Sequence, residues 1–343
     1  MAKSDGVGQQ LKQMMQQREQ KLKNFGSMYN LVETPGLFGL GYSTFTSVNL
    51  GNSTQVFYLS VNRNGFRTDG YPSILTASLN SSKVDTTRTT DWVAGLLSVQ
   101  KLVEYNDTNG DGLFTQGVDT VLQVVSFNQL NWALGTESIT SGSSTGYNIT
   151  LTALYEGGTI EIVAQVYNTG VVLSNGVPIS PTEVKVDFII NNFPWNSTTS
   201  RLALFSAFGG VSSSAQVTRA DNQTTAVQYK NAFAYFTWAS TATVDGSTVS
   251  VLSNQTSINS GAIQEVQLNY PHGSSITDDP IIGVGSGSVQ NVPSLGASAT
   301  ATPTSVSALP GLYFVTASAV VILGVAALAL VARKRMVEPK LQF

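Results

Sequence analysis

Between Leu312 and Ala332 the chain runs for 21 residues, LYFVTASAVVILGVAALALVA, without one charged side chain. At about 1.5 Å of rise per residue a helix of that length reaches about 31 Å, enough for a hydrocarbon core of about 30 Å. Pro310-Gly311 breaks the chain ahead of it, Tyr313 falls at the entering interface, and Arg333-Lys334-Arg335 stops it. Basic stops of this kind stay cytoplasmic. The sequence therefore predicts a transmembrane helix at 310–332, a basic cytoplasmic tail at 333–343 and a lipid bilayer as partner. The rest of the chain is expected outside or in a lumen, at the cell membrane or an endomembrane.

Charge is distributed to match. Residues 1–25 carry five basic and two acidic side chains, the tail after 332 four and one, and residues 26–332 nine and eighteen. An acidic centre between basic ends suits an outward face that attracts cations and ends that meet anionic lipid. Charged residues make up only 11% of the chain, which excludes the dense Lys/Arg footprint of a nucleic-acid binder. There is no cysteine. Disulfide frameworks, zinc–thiolate sites and cysteine nucleophiles are thereby excluded, and stability must come from core size, bound ions or glycans.

At residues 9–25, Leu11, Met14, Met15, Leu22 and Phe25 fall on one arc of a helix. Residues 1–27 are read as a short polar amphipathic helix, a leader segment apart from the mature domain. They hold no apolar run of the signal-peptide kind, which leaves a cytosol-facing, tail-anchored arrangement as the competing topology.

Residues 28–283 read as mainly β. Runs such as Gln55–Asn62, Thr120–Phe127, Tyr147–Tyr155, Thr159–Tyr167, Glu183–Asn191 and Ala232–Ala239 are rich in Val, Ile, Thr and aromatics, with Gly/Asn/Asp/Ser clusters between them. Glu156-Gly157-Gly158 predicts a hairpin turn. In Glu183–Ile189 the alternation puts Val184, Val186 and Phe188 on one face and Glu183, Lys185 and Asp187 on a wet one. Val93–Val103 suits a strand or a helical turn. The expected fold class is a β-sandwich-type ectodomain of one or two modules, with a subdivision near residue 140. Residues 284–309 carry no charge and almost no large side chain, so they read as an extended Ser/Thr/Ala/Pro stalk.

Acceptors of the form Asn-x-Ser/Thr occur at Asn52, Asn80, Asn106, Asn148, Asn196, Asn222 and Asn254. Spread through the β region and read as lying mostly near turns, they fit an outward glycoprotein. All but Asn106 are taken as candidate glycosylation sites.

The most chemically specific segment is Tyr105–Asp119, YNDTNGDGLFTQGVD. Asp107, Asn109 and Asp111 alternate before Gly112, so three oxygen-bearing side chains can wrap one hard cation. This D-x-N-x-D-G segment resembles the Ca²⁺ loop of EF-hands and related extracellular loops over about fifteen residues. The resemblance implies Ca²⁺ as a structural cofactor, with the Leu113 carbonyl in the seventh position. The acidic residue expected at position 12 is Val118 here, so Asp119 is taken as the closing ligand, with Glu104 a further candidate. The competing reading is an Asn/Asp/Gly turn whose side chains cap the backbone.

Catalysis has little support. His272 is the single histidine, and no Gly-x-Ser-x-Gly elbow accompanies it. Glu161, Glu183, Asp187 and Glu265 are the carboxylates a glycoside hydrolase would draw on, but sequence does not pair them. Phe193 and Trp195 form an aromatic turn, read as a core plug before a sugar platform. The expected function is adhesion, recognition or surface-coat formation, with cell-surface glycans or another surface protein as partners. The alternative is a membrane-tethered carbohydrate-active enzyme.

Overall fold

A computed structural model of the chain describes residues 30–34, 38–43, 48–50, 53–62, 71–82, 90–167, 169–173, 176–210, 216–221, 223–229, 232–258, 263–292 and 295. The amphipathic segment at 1–27, the membrane span, the basic tail and most of the stalk lie outside these residues. Among the described residues no helix is long and apolar enough to cross a membrane.

The first strands are β1 (Asn30–Thr34), β2 (Phe38–Ser43), β3 (Val48–Leu50), β4 (Ser53–Asn62), β5 (Ser73–Ser82), β6 (Thr90–Asn106) and β7 (Thr120–Ser126). After them come β8 (Trp132–Ser141), β9 (Ser144–Tyr155), β10 (Gly158–Tyr167), β11 (Val171–Val172), β12 (Pro178–Ile179), β13 (Glu183–Asn191) and β14 (Arg201–Gly210). The chain continues through β15 (Gln216–Asp221), β16 (Thr224–Tyr229), β17 (Ala232–Thr237), β18 (Thr241–Val244) and β19 (Ser247–Ser250). It closes with β20 (Leu252–Ile258), β21 (Ile263–Tyr270), β22 (Ser275–Asp278) and β23 (Ile281–Ser286). The fold is mainly β, built from antiparallel sheets.

One sheet has the order β1-β2-β4-β5-β6-β14-β21-β20, with β3 on β4 and β7 on β6. A second runs β15-β16-β17-β23-β13-β10-β9-β8, with β18, β19 and β22 joining it through β13, and β11 and β12 form a separate two-stranded sheet. Val93–Val103 lies wholly within β6, a strand. One edge of β6 pairs with β14, and the other is shared end to end by β5 and β7. Because β14 and β21 return from beyond residue 200 to the sheet containing β4–β6, a cut near residue 140 separates no two modules. A single apolar cluster joins the two sheets, taking Ile74, Leu97 and Leu102 from one and Leu151, Ile162, Val186 and Phe188 from the other. Each such side chain contributes roughly 1.5–3 kcal/mol on burial, and Trp238 is wholly enclosed.

Turn chemistry follows the sequence closely at the β9–β10 hairpin. Glu156 and Gly157 take φ of 47° and 91°, the two left-handed positions of a tight primed turn that matches strand twist.

Two expectations fail for reasons of tertiary packing. The charged side of β13 is not wet: Glu183, Lys185 and Asp187 are only 7%, 7% and 8% exposed. A second apolar cluster lies near that face, built from Tyr167, Val171, Ile179, Phe233, Tyr235, Ile281, Val289 and Val292. The folded chain also runs past residue 283, since β23 reaches Ser286 and Val284, Val289 and Val292 are buried. The lack of large side chains that suggested a stalk from 284 onward is made up from the neighbouring strand. Gly283 pairs with Tyr235 and Gly285 with Phe233, and a Cβ at either would fall 2.6 or 2.4 Å from the facing ring.

Candidate functional site

The D-x-N-x-D-G segment connects β6 to β7 and lies over the outer face of the first sheet. Its anchor is Phe114, which packs edge-on against Tyr105 and Phe205 at centroid distances of 5.3 and 6.0 Å. The Phe114 N–H donates to Asn269 Oδ1 at 3.0 Å, and Gln267 Nε2 donates to the Phe114 carbonyl at 3.0 Å. Tyr105 donates its hydroxyl to the Gly112 carbonyl at 2.9 Å. Burial pushes that phenol up to about 12, against a smaller opposite pull from the Arg201 guanidinium, so it remains a donor at any physiological pH.

Within the loop each carboxylate is held by local donors. Asp107 accepts from the Gly110 and Gly112 N–H groups, both at 2.8 Å. Asn109 Oδ1 accepts from the Asp111 N–H at 3.2 Å, and its Nδ2 donates to Asp111 Oδ2 at 2.8 Å. The Leu113 N–H donates to Asp111 Oδ1 at 2.8 Å. Asp119, 8% exposed, ties the two ends of the loop: it accepts from the Thr108 N–H at 2.9 Å and the Thr115 N–H at 2.6 Å. Val118, at the position where the resembled loops carry an acid, is 49% exposed. Gly112 is demanded by its φ of 78°, and Leu252 Cδ1 lies 2.6 Å from where a Cβ would stand.

The loop thus brings Asp119 to the start of the segment and pairs Asn109 with Asp111. Among the described residues no three carboxylate, histidine or cysteine side chains close on one point as a ligand set. A cation here would rest on a mixed oxygen set drawn from Asp107, Asn109, Asp111, Asp119 and the Leu113 carbonyl, donors suited to a hard ion. Arg201 stands beside Gly112. With the three aspartates it leaves a net formal charge of −2, which suits a divalent ion.

Glu104 does not join the loop. It is fully buried, and its carboxylate accepts from the Asn196 N–H at 2.8 Å, Asn196 Nδ2 at 2.8 Å, the Ser197 N–H at 3.2 Å and Ser200 Oγ at 2.6 Å. Side chains alternate along a strand, so Glu104 faces away from Val103 and Tyr105, under which Phe114 lies.

The acceptor asparagines fall in varied settings. Asn80, Asn148 and Asn254 stand inside β5, β9 and β20 rather than at turns, and Asn52 and Asn222 lie outside the described residues. Asn254 is exposed, whereas Asn148 is half-buried with its Oδ1 enclosed. Asn196 is exposed, yet its Nδ2 already serves Glu104 and, at 3.2 Å, Gln123. A glycan on that nitrogen would displace at least one of these bonds.

The aromatic turn divides its labour. Phe193 is buried in the main core and stacks with Tyr155 at 6.3 Å, so it is the plug. Trp195 is half-buried, donates to the Gly273 carbonyl at 3.0 Å and is stacked by exposed His272 at 4.2 Å. One face of the indole is therefore covered by the imidazole.

Sequence reasoning missed a second polar centre, on the outer face around β13. Lys185 Nζ bonds Asp187 Oδ1 and also reaches Asp279 Oδ1 at 3.1 Å. Gln165 Nε2 lies 3.5 Å from Asp187 Oδ2. Burial, opposed by Lys185 and reinforced by Asp279, raises the Asp187 carboxyl to about 6. Nearby, Glu183 accepts from the Tyr235 hydroxyl and from the Ser180 N–H at 2.6 Å. The strand-to-strand handover places Asp279: β22 ends with Asp278 opposite Phe188, and β23 begins with Ile281 opposite Lys185. Asp278 points the other way, into the main core, where the Tyr270 hydroxyl donates to it at 2.6 Å. Of the carboxylates considered for glycoside hydrolysis, Glu183 and Asp187 are committed to these bonds. Glu161 and Glu265 sit on different sheets.

No protein-family model matches this chain, and no curated protein is similar to it in sequence.

Proposed function

We propose that this chain is a single-pass surface glycoprotein whose β-sandwich ectodomain acts in adhesion, recognition or formation of a surface coat. The observation that carries the proposal is the uncharged Leu312–Ala332 run with its Arg333-Lys334-Arg335 stop, placed after a large cysteine-free β region. Two large antiparallel sheets joined by an extensive apolar cluster support it, because that build is rigid enough to present loops without disulfides. The β6–β7 loop would bind structural Ca²⁺ and fix one such surface.

Topology is tested with the full chain in cells. Alkaline carbonate should leave it in the membrane pellet, external protease should remove the β region while sparing the tail, and glycosidase should lower its apparent mass. Asn254→Gln should remove part of that glycan shift. A β region protected from external protease, together with no glycosidase effect, would establish the cytosol-facing arrangement instead.

Calcium has a separate readout. At the affinity of extracellular modules, with a Kd of about 10⁻⁴–10⁻³ M, about 10 mM Ca²⁺ should add about 1–3 kcal/mol to the unfolding free energy. Asp107→Ala combined with Asp111→Ala should abolish that increment. An unfolding midpoint indifferent to both Ca²⁺ and chelator would reduce the loop to a self-capped turn.

A further inference from the structure

Lys185, Asp187 and Asp279 form an arrangement suited to a covalent bond as well as an ion pair. Lys185 and Asp187 project from the same face of β13, each less than a tenth exposed. Asp279 arrives from the break between β22 and β23, held there by the Val186 N–H donating to the Pro280 carbonyl at 2.8 Å and by its own N–H donating to Asp278 Oδ1 at 2.9 Å. One amine thus touches two carboxyl groups, one from its own strand and one 94 residues away. We propose that Lys185 Nζ condenses with the Asp279 side chain to form an intramolecular isopeptide bond, with Asp187 relaying the protons.

The step balances without any added reagent. Lys185 Nζ begins as an ammonium and passes a proton to the Asp187 carboxylate, leaving a neutral amine beside a neutral acid. Burial favours that neutral pair over two charges, in line with the raised Asp187 carboxyl. The amine attacks Asp279 Cγ and a C–N bond forms. Asp187 returns its proton to one oxygen of the tetrahedral centre and accepts a second from nitrogen. It hands that on as the C–O bond breaks, and the oxygen leaves as water. Two of the three ammonium protons end in the water, one stays on the amide nitrogen, and Asp187 is unchanged. In dilute solution this condensation runs backwards. Here the partners are preplaced within 3.1 Å, and water has restricted access to the amine, the two conditions that give intramolecular reactions their large effective concentrations.

Asp187 is the relay and not the acyl partner because it is two residues from Lys185 on one strand, where a bond would only close a small ring. A bond to Asp279 ties β13 to the strand handover. On the membrane-anchored reading of the chain, a pull from the C-terminal side would then unravel no further than residue 279 before loading the middle of a sheet. The mechanical role rests on that reading; the bond itself does not.

Mass spectrometry of the purified full chain decides the matter. The unglycosylated protein should weigh less than its sequence by one water, about 18 Da, as an intramolecular condensation requires. Fragment spectra should contain the peptide bearing Lys185 joined to the one bearing Asp279, with no tryptic cleavage after Lys185. Asp279→Ala and Lys185→Arg should restore the full mass. Asp187→Ala should also leave the link unformed while both reacting residues remain, and circular dichroism shows whether each variant is folded. Wild-type protein of full mass with Lys185 and Asp279 in separate peptides overturns the proposal. So does a water loss mapped to Asp187, or to succinimide at an Asp-Gly step, Asp5-Gly6, Asp69-Gly70, Asp111-Gly112 or Asp245-Gly246. Failure of the topology assay with the cross-link present would remove only the mechanical role.

Discussion

Glu104→Ala is expected to lower the unfolding free energy by at least about 4 kcal/mol. The carboxylate is fully buried and accepts four hydrogen bonds, two of them from the backbone N–H groups of Asn196 and Ser197. Residues 192–200 contain no strand or helix, so these donors depend on Glu104 where a sheet would have supplied partners. Truncation orphans each of them at about 1–3 kcal/mol, on top of the cavity left behind. Glu104→Gln keeps the shape but turns an amide towards donors, and should fall between alanine and wild type. Urea denaturation at constant slope is the measurement. A loss under about 1 kcal/mol for the alanine variant would mean that water replaces the carboxylate and that the 196–200 turn stands on its own. Neither variant should alter the Ca²⁺ increment, since Glu104 serves the opposite side of β6 from the loop.

The second large effect is a dependence of stability on pH that runs opposite to the usual acid denaturation. Asp278 is 1% exposed, and burial raises its carboxyl to about 7 in spite of the bond from Tyr270; Asp279 and Asp187 add a smaller push in the same direction. In the unfolded chain an aspartate titrates near about 4. Between these values the folded protein binds a proton that the unfolded chain does not. Stability from this group is therefore complete below about pH 4 and lost as pH rises through about 7. Asp187, raised to about 6 while Lys185 and Asp279 are unlinked, has the same sign. Thermal unfolding should occur at a higher temperature at pH 5 than at pH 8, with the Asp278 part on the order of a few kcal/mol. Asp278→Asn removes that part and should leave the protein more stable than wild type at pH 8. A wild-type midpoint that falls on acidification from pH 8 to pH 5 would contradict this assignment. Such a protein gains from mild acid where most lose, and the described residues hold few ion pairs for acid to protonate.

Much of this was legible in the residues alone because it depends on near neighbours along the chain. Runs rich in Val, Ile, Thr and aromatics locate the six segments that become β4, β7, β9, β10, β13 and β17. Glu156-Gly157-Gly158 predicts a hairpin turn, although its two left-handed positions fall on Glu156 and Gly157 and not on the paired glycines. The β6–β7 loop is similarly local: Asp107, Asn109 and Asp111 bond N–H groups two to five residues away. By contrast, the alternation of β13 predicts charge facing water, and it fails. Which face of a strand meets solvent depends on what lies over it, here near the cluster of Tyr167, Val171, Ile179, Val289 and Val292. The small residues of β23 mislead for the same reason. A stretch without large side chains reads as unable to bury surface until Tyr235 and Phe233 of the neighbouring strand fill the space beside it.

What the amino-acid order determined by itself, then, is the β character, the β9–β10 hairpin turn, the acidic turn between β6 and β7 and an uncharged C-terminal run long enough to cross a bilayer. These rest on backbone preference, side-chain alternation and transfer free energy, all set within a few residues or by length. Tertiary structure alone decided that β14 and β21 return to the sheet of β4–β6 and help build the apolar cluster between the two large sheets. It also turned Glu104 away from the acidic loop to support a turn 92 residues on, and brought Lys185 to Asp279 across 94. Such pairings arise from closing long loops around a shared apolar interior, and no local pattern encodes which distant residue arrives at a given strand face.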